Sequence, residues 1–438
     1  MVTATATSAV TLRYKPESSF GTAAAGNWQP LRFTGEQLAS NVTVVESEVI
    51  RNDAAIDNFY LTDADGGGSV GGELGYGDWE LLMAAAIMAP GVTANSSTVS
   101  TADTISLVAP SSITTTYTAG GLLATGGINF GSLGFAAGDW VTLSGFDNDI
   151  HTTHPNPEAF NGSWLVVALA TTSTTNDTMH LAGLVGTVSA VGGTNIRVVK
   201  MDEARSSNVV NTYQFEKEKN GDFQLYSGVG VNGFSLDVTP NGMITVSTDL
   251  TTKTPENNTS SAASGNNTEA TGASLSSNTG FDRFYEGSTP DIGTASQTSI
   301  DWLSNPSVVS AAVQFNPNLR IRKAAGTVGV AIKHGAGTLA ATGSITAYYG
   351  FPSSRDPQDL LNKSVNNTST HIVLAMTDGV GGSWVFDMPN CKITAARDLT
   401  QGKDQDVVIE FEFAAYIQTD YPTSGVDFTV RQLSSAPA

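Results

Sequence analysis

The alternation of apolar and polar residues along the chain predicts strands almost everywhere. In "VVIEFEF" (407–413), Val407, Ile409, Phe411 and Phe413 fall on one side, and Val408, Glu410 and Glu412 on the other. Period-two patterning of that kind marks an antiparallel strand with one dry face and one wet face. "SNVTVVESEVIRND" (40–53) is rich in β-branched residues and predicts another strand. Within 211–250, "TPNG" separates two β-runs, and Asn-Gly is a strong hairpin signal. Further strands are predicted in "PSVVSAAVQFN", "GSITAYYG", "THIVLAM" and "SWVFDM". One stretch keeps a different period. In "GYGDWELLMAAAIMAP" (75–90), Trp79, Leu82, Met83, Ala86 and Ile87 recur on a single helix face, which predicts a short helix with that face in the core. Asp78 occupies the expected N-cap position and Glu80 the first turn, while Pro90 and Gly91 are the expected stop. "LLNKS", after "SSRDPQD", promises at most a short turn of helix.

The same reading divides the chain. Residues 1–90 hold an extended arm, a long hairpin and the helix. Residues 91–204 change character: short apolar runs such as "GDWVTLSGF" and "NGSWLVVALATT" alternate with turn signals, predicting a small inserted β-domain with Trp140 and Trp164 in its core. Residues 205–438 resume the main body, with an exposed polar loop expected at about 251–290. The glycine-dense "DADGGGSVGGELGYGD" reads as a flexible or tightly approached loop.

Composition sharpens this picture at three points. With 438 residues, 40% hydrophobic and only 14% charged, the chain is long enough for two or three packed units. The 41 acidic residues against 21 basic ones give a formal charge of −20, a surface that repels nucleic acid rather than holding it. Cys391 is the only cysteine, which excludes an intrachain disulfide and a cysteine-based zinc site. The N-terminal residues lack the basic and apolar pattern of a secretory signal, so synthesis in a cytoplasm is expected, and no apolar run is long enough to span a membrane.

Catalytic and ligand-binding patterns are weak. His151 and His154 are spaced for a shared metal on a helix, but Pro155 and Pro157 break any helix there. "DADGGGSVGGEL" imitates a calcium loop with its glutamate one place short and Gly67 where an oxygen ligand belongs. No G-x-S-x-G elbow or phosphate-binding loop occurs. The pairs Glu46 with Glu48 and Glu410 with Glu412 sit at strand spacing, which marks an exposed face more often than an acid–base couple. Arg320 and Arg322 share one strand face beside Lys323, an arrangement suited to ion pairing across a subunit boundary. No enzyme, cofactor or metal function is expected. A glycan-binding role for the inserted domain rests only on its tryptophans.

One ordered set of segments carries more. Residues 18–90 run from "SSFGT" through a hairpin bearing "SEVIRND", then "GGELGYGD", to the short helix, and "MPNCKITAARDLTQGKDQDVVIEFEFAAY" closes the chain. This order resembles the tail tube proteins of long-tailed bacteriophages over about 18–90 and 205–433, with no counterpart for 91–204 or 251–290. The resemblance implies a mainly β fold, a β-sandwich with one short flanking α-helix, here with an added inserted all-β domain. It implies a structural homo-oligomer of stacked hexameric rings, in contact with other tail proteins, through which double-stranded DNA passes without specific binding, in the tail of the virion and away from membranes. By similarity, the 40–73 hairpin and the N-terminal arm bridge neighbouring subunits or rings. Candidate contacts are Glu46, Glu48, Arg51 and Asp53 with Arg320 and Arg322, and the candidate lumen-facing acids are Glu410 and Glu412. Glu46, Glu48 and Asp53 are candidates for the lumen as well. A capsid decoration protein or a glycan-binding tail component is the alternative.

Overall fold

The computed structural model describes residues 10–433, except 51, 54, 95–97, 100–103, 109–120, 126–128, 147–159, 172–176, 183–196, 264, 271–273, 277–280, 288–302, 305–307, 325–330, 349–356, 378–381, 401–405 and 417–428. The His151/His154 motif and Arg51 lie outside the described residues. The fold is mainly β, and nineteen strands hydrogen-bond into one sheet. Its principal strands are β1 (Val10–Ser19), β2 (Ala39–Glu46) and β3 (Phe59–Glu73), followed by helix α1 (Glu80–Ala86). After the insertion come β4 (Thr212–Lys219), β5 (Asp222–Val238), β6 (Thr245–Lys253), β7 (Phe281–Gly287) and β8 (Val308–Asn316). Next are β9 (Arg320–Arg322), β10 (Lys333–Gly335), β11 (Ala340–Tyr348), helix α2 (Pro357–Asn366), β12 (Ser369–Thr377), β13 (Ser383–Leu399), β14 (Val408–Ala415) and β15 (Thr429–Leu433).

One antiparallel layer runs β3–β6–β5–β8–β11–β14–β13. A second contains β7, β12, the first half of β13, and β15. Two 17-residue strands bind the fold together. The first half of β5 pairs with β4 and its last residues with β8. The first half of β13 pairs with β12 and its second half with β14, across a register shift at Ile393/Ala395. Such irregularities bend a strand and let it serve two layers. Between the layers Phe315 of β8 stacks on Phe386 of β13 at 6.1 Å, and Phe284 of β7 meets Phe411 of β14 at 6.4 Å. Each fully buried aromatic of this kind contributes about 2–3 kcal/mol by leaving water.

Helix α1 fills one end of this core. Trp79, Leu82, Met83, Ala86 and Ile87 are all buried. Its start differs from the expected cap. Trp79 takes the N-cap position with no side-chain cap, and the Gly77 N–H donates to the Glu80 carboxylate. Asp78 instead turns inward, where Arg32 Nε donates to its Oδ2 at 2.6 Å. Burial raises the Asp78 carboxyl above the usual range, against the opposing pull of that arginine. The helix also stops before Pro90. Met88 adopts φ 53°, its N–H reaches Ala85 O at 2.9 Å, and the Ala89 N–H reaches Ala84 O at 2.9 Å, a Schellman turn. A second helix, α2, forms where only a short turn was expected. Pro357 starts it with a fixed φ, and Lys363 pairs with the buried Glu286 at 2.8 Å.

The glycine-dense segment is a strand rather than a loop. Residues 65–73 of β3 pair with β6 in unbroken register. Small residues are required because other atoms press close. A Cβ on Gly72 would sit 2.5 Å from Trp79 Cζ2, and one on Gly68, at φ +147°, 2.1 Å from Gln37 O. The described part of 254–276 is likewise bolted to the body. The Leu275 N–H donates to Leu74 O at 2.8 Å, and Trp28 donates its N–H to Gly265 O and accepts from the Asn267 N–H, both at 2.8 Å. Leu275 is buried. Polar composition concealed these main-chain bonds.

Seven strands between Thr98 and Lys200 pair only with one another. The chain leaves the body at Thr93 and returns at Glu203, and those two residues exchange backbone hydrogen bonds at 2.8 and 3.1 Å. One side of the inserted sheet packs Trp164 with Phe130, Phe135 and Leu143 in its own core. Trp140 lies on the other side, against Tyr285, Val373 and Val385 of the body. Its Nε1–H donates to Asp387 Oδ2 at 2.9 Å, and Asp387 Oδ1 lies 2.6 Å from His371 Nε2, all of it buried. A polar network so fully enclosed holds its partners in one arrangement.

The short ribbon β9–β10 is anchored through His334, whose Nε2–H donates to Gly228 O at 2.7 Å and whose ring meets Phe20 edge-on. Burial holds this imidazole below its usual range, while Gly228 O and Glu17 oppose that shift.

Three outcomes follow from these contacts. Gly72→Ala is expected to cost about 2 kcal/mol in urea unfolding, because Trp79 cannot yield. Asp387→Ala removes the buried carboxylate that Trp140 and His371 share and is expected to cost about 3 kcal/mol, with near-ultraviolet circular dichroism reporting the loosened Trp140. His334 binds protons less readily folded than unfolded, so its contribution is present above about pH 6.5 and lost as pH falls below it. His334→Gln is therefore expected to flatten the decline of the urea midpoint between about pH 7 and 5.

Candidate assembly surfaces

Three surface features stand out from the packed body. The first is an arm made by β2 and the outer half of β3, paired from Ala39↔Gly67 to Glu46↔Phe59. Strand β6 accompanies β3 only as far as Asp65. Beyond that point the arm is a two-stranded ribbon, and every residue of β2 is exposed. Its apolar side chains Val42, Val44, Val49, Phe59 and Leu61 stand in water, and Ile50 is 97% exposed. An isolated ribbon is marginal in water, and exposed apolar strands are templates for another chain. Glu46, Glu48 and Asp53 are exposed on this arm.

The second surface is the outer face of the layer that ends in β14. Cross-strand partners form two unbroken rows. One is Gly71–Ser247–Ser235–Gln314–Thr342–Ala414, and the other is Glu73–Thr245–Asp237–Ala312–Ser344–Glu412. Asp249 lies beside them on β6. Across these six strands neither row holds a lysine or a large apolar side chain, and on β13 the first row continues with Lys392, opposite Ala414, whose ammonium donates to Asn367 O. Residues 312–314, 342–344 and 412–414 line a shallow depression of about 540 Å³ on this face. Of the two predicted acids, Glu412 is exposed here, whereas Glu410 is tied to Arg397, whose Nη2 lies 2.7 Å from Glu410 Oε2.

The third is the β9–β10 ribbon. Arg320 and Arg322 both point outward, separated by Ile321, and Lys333 is exposed opposite Arg322. Arg320 Nη2 donates to Ala336 O at 2.8 Å. Lys323, just past the ribbon, reaches Asp65 at 3.0 Å and also binds Asp63, so the ribbon stands at the root of the arm. Those two carboxylates raise the Lys323 ammonium above its usual range.

Sequence reasoning thus placed Glu46, Glu48 and Asp53 on the arm and Arg320 with Arg322 on one face, but the structure does not bring the two groups together within one copy. It missed Asp237, Asp249 and the serine and threonine rows. The signal was the alternation in "TVSTDLTTK", whose wet positions carry Thr245, Ser247, Asp249 and Thr251. Among the described residues no group of three or more His, Cys, Asp or Glu is placed to hold a metal ion, and no helix is long and apolar enough to cross a membrane.

No curated protein matches the chain. A family model described as phage tail tube protein matches residues 7–415, nearly its whole length. The chain belongs to the phage tail tube protein family.

Proposed function

We propose that this protein is a non-enzymatic structural subunit of a phage tail, assembling as hexameric rings that stack into a tube through which double-stranded DNA is ejected. The observation that carries this reading is the outer face of the β3–β13 layer. Its two cross-strand rows hold serine, threonine, glycine, alanine, glutamine and acids, with Arg397 already committed to Glu410. The other cation along these rows, Lys392 opposite Ala414 on β13, donates to Asn367 O and lies over the Tyr416 ring, so the face offers phosphates little to lodge on. Its acids repel them over about one Debye length, roughly 8 Å at physiological salt. Small polar side chains hold water instead, so DNA slides along a wetted wall. In this reading Glu73, Asp237, Asp249 and Glu412 face the lumen.

The arm supplies the bond between copies, because its apolar residues are covered only when another subunit lies against them. Strand edges open in one copy are closed in a ring, which abolishes them. The tube sits in the virion tail, meets other tail proteins at its ends, and is built from chains made in the host cytoplasm. Residues 91–204 form a separate inserted domain that decorates the outside of the tube, held rigidly by the Trp140–Asp387–His371 network.

Cysteine labelling tests the reading cleanly, because the single native thiol, Cys391, is buried. Thr342→Cys places a thiol on the polar face. In the unassembled subunit it is expected to react with both a small maleimide and a bulky polymer maleimide. In tubes imaged by negative stain, only the small reagent is expected to react at the same rate. Equal reaction of the bulky reagent with assembled tubes would overturn the lumen assignment, and failure of the purified protein to form tubes at all would overturn the assembly.

A further inference from the structure

We infer that the acidic end of the arm of one copy docks on the basic β9–β10 ribbon of a second copy, Glu46 and Glu48 answering Arg320, Arg322 and Lys333. The inference rests on the ring-forming reading and names the two patches that join. Both patches are incomplete in the same way. The arm beyond Asp65 and the β9–β10 ribbon are each only two strands wide, and two-stranded ribbons gain stability when a third or fourth strand, or a covering face, is added.

Charge selects the match. In a chain of net charge −20, Arg320, Arg322 and Lys333 form an exposed cationic group with no acid partner among the described residues. Glu46 and Glu48 are exposed acids on the arm that likewise lack a basic partner there. The neighbouring cation, Lys323, is already taken by Asp63 and Asp65 of its own arm. That ion pair also fixes the direction. Asp63 lies opposite Thr43, so Glu46 stands three residues farther out along β2, about 10 Å beyond the root at roughly 3.4 Å per residue. The arm therefore carries its acids away from the ribbon of its own copy. Because each copy bears a ribbon at the root of its arm, arm-to-root contact repeats head to tail, the heterologous geometry that closes a ring or continues a stack. The valines and Ile50 of the arm lose their water in the same contact.

Charge reversal and its rescue test the pairing. Glu46→Lys with Glu48→Lys, and separately Arg320→Glu with Arg322→Glu, are each expected to raise the concentration needed for tube formation by roughly tenfold or more. The four changes combined are expected to restore assembly to near the wild-type level. Circular dichroism and urea midpoints of the unassembled subunits confirm folding of each variant. The double variant Glu46→Cys with Arg322→Cys is expected to give covalent multimers on a non-reducing gel, and neither single variant a ladder. Wild-type tubes accompanied by unaffected single-patch variants and no ladder would overturn this docking while leaving the tube standing. Absence of tubes from the wild-type protein would instead strike the ring reading itself.

Discussion

Main-chain hydrogen bonding between antiparallel strands is the constraint on which this structure depends, because it must be completed somewhere for every strand. Inside the body the described strands hand it on to one another. The layer from β3 to β13 passes bonds from neighbour to neighbour. Strands β5 and β13 carry them into a second layer by changing partners halfway. Along the outer arm the bonds run out. There β2 and β3 hold only each other, with apolar side chains on view. A fold that satisfies its core so thoroughly and leaves one ribbon bare has concentrated its unmet bonding in a place where another copy can meet it.

Electrostatics reinforces that division. The acids on the polar face stand along rows of small hydroxyl and amide side chains, whereas Arg320, Arg322 and Lys333 gather on β9–β10 and other cations sit in ion pairs such as Arg397 with Glu410 and Lys323 with Asp63 and Asp65. Charge is thus sorted by surface, with acids along a broad polar face and a cationic group on a small ribbon. A uniform distribution of the same 21 basic residues would have weakened this sorting.

The seven-stranded sheet between Thr98 and Lys200 joins the body without disturbing this arrangement. Its entry and exit at Thr93 and Glu203 are hydrogen-bonded neighbours, so the body closes beneath it. The joint then uses both apolar and polar forces. Trp140, Leu165 and Val167 bury against Val373 and Val385, and Asp387 grips Trp140 and His371 at once. Burial supplies most of the attraction, while the directional bonds fix one orientation.

The mainly β class was legible in the sequence because period-two alternation is a local property, and so was the apolar face of α1, since both depend on side chains a few positions apart. The turn at "TPNG" and the wet face of β14 were legible for the same reason. Tertiary structure decided what distant residues do to one another. It drew Asp78 from the helix cap to Arg32 and made the glycines of β3 a strand pressed against Trp79. It also tied the polar segment near Leu275 to the body by backbone bonds that composition does not register, and sent Trp140 to the joint instead of the inserted core. The serine and threonine rows needed six strands, spread from β3 to β14 along the chain, to come into register. Periodicity fixes which side of a strand is wet, but only long-range pairing fixes which wet sides lie together, because that choice depends on how the whole core closes.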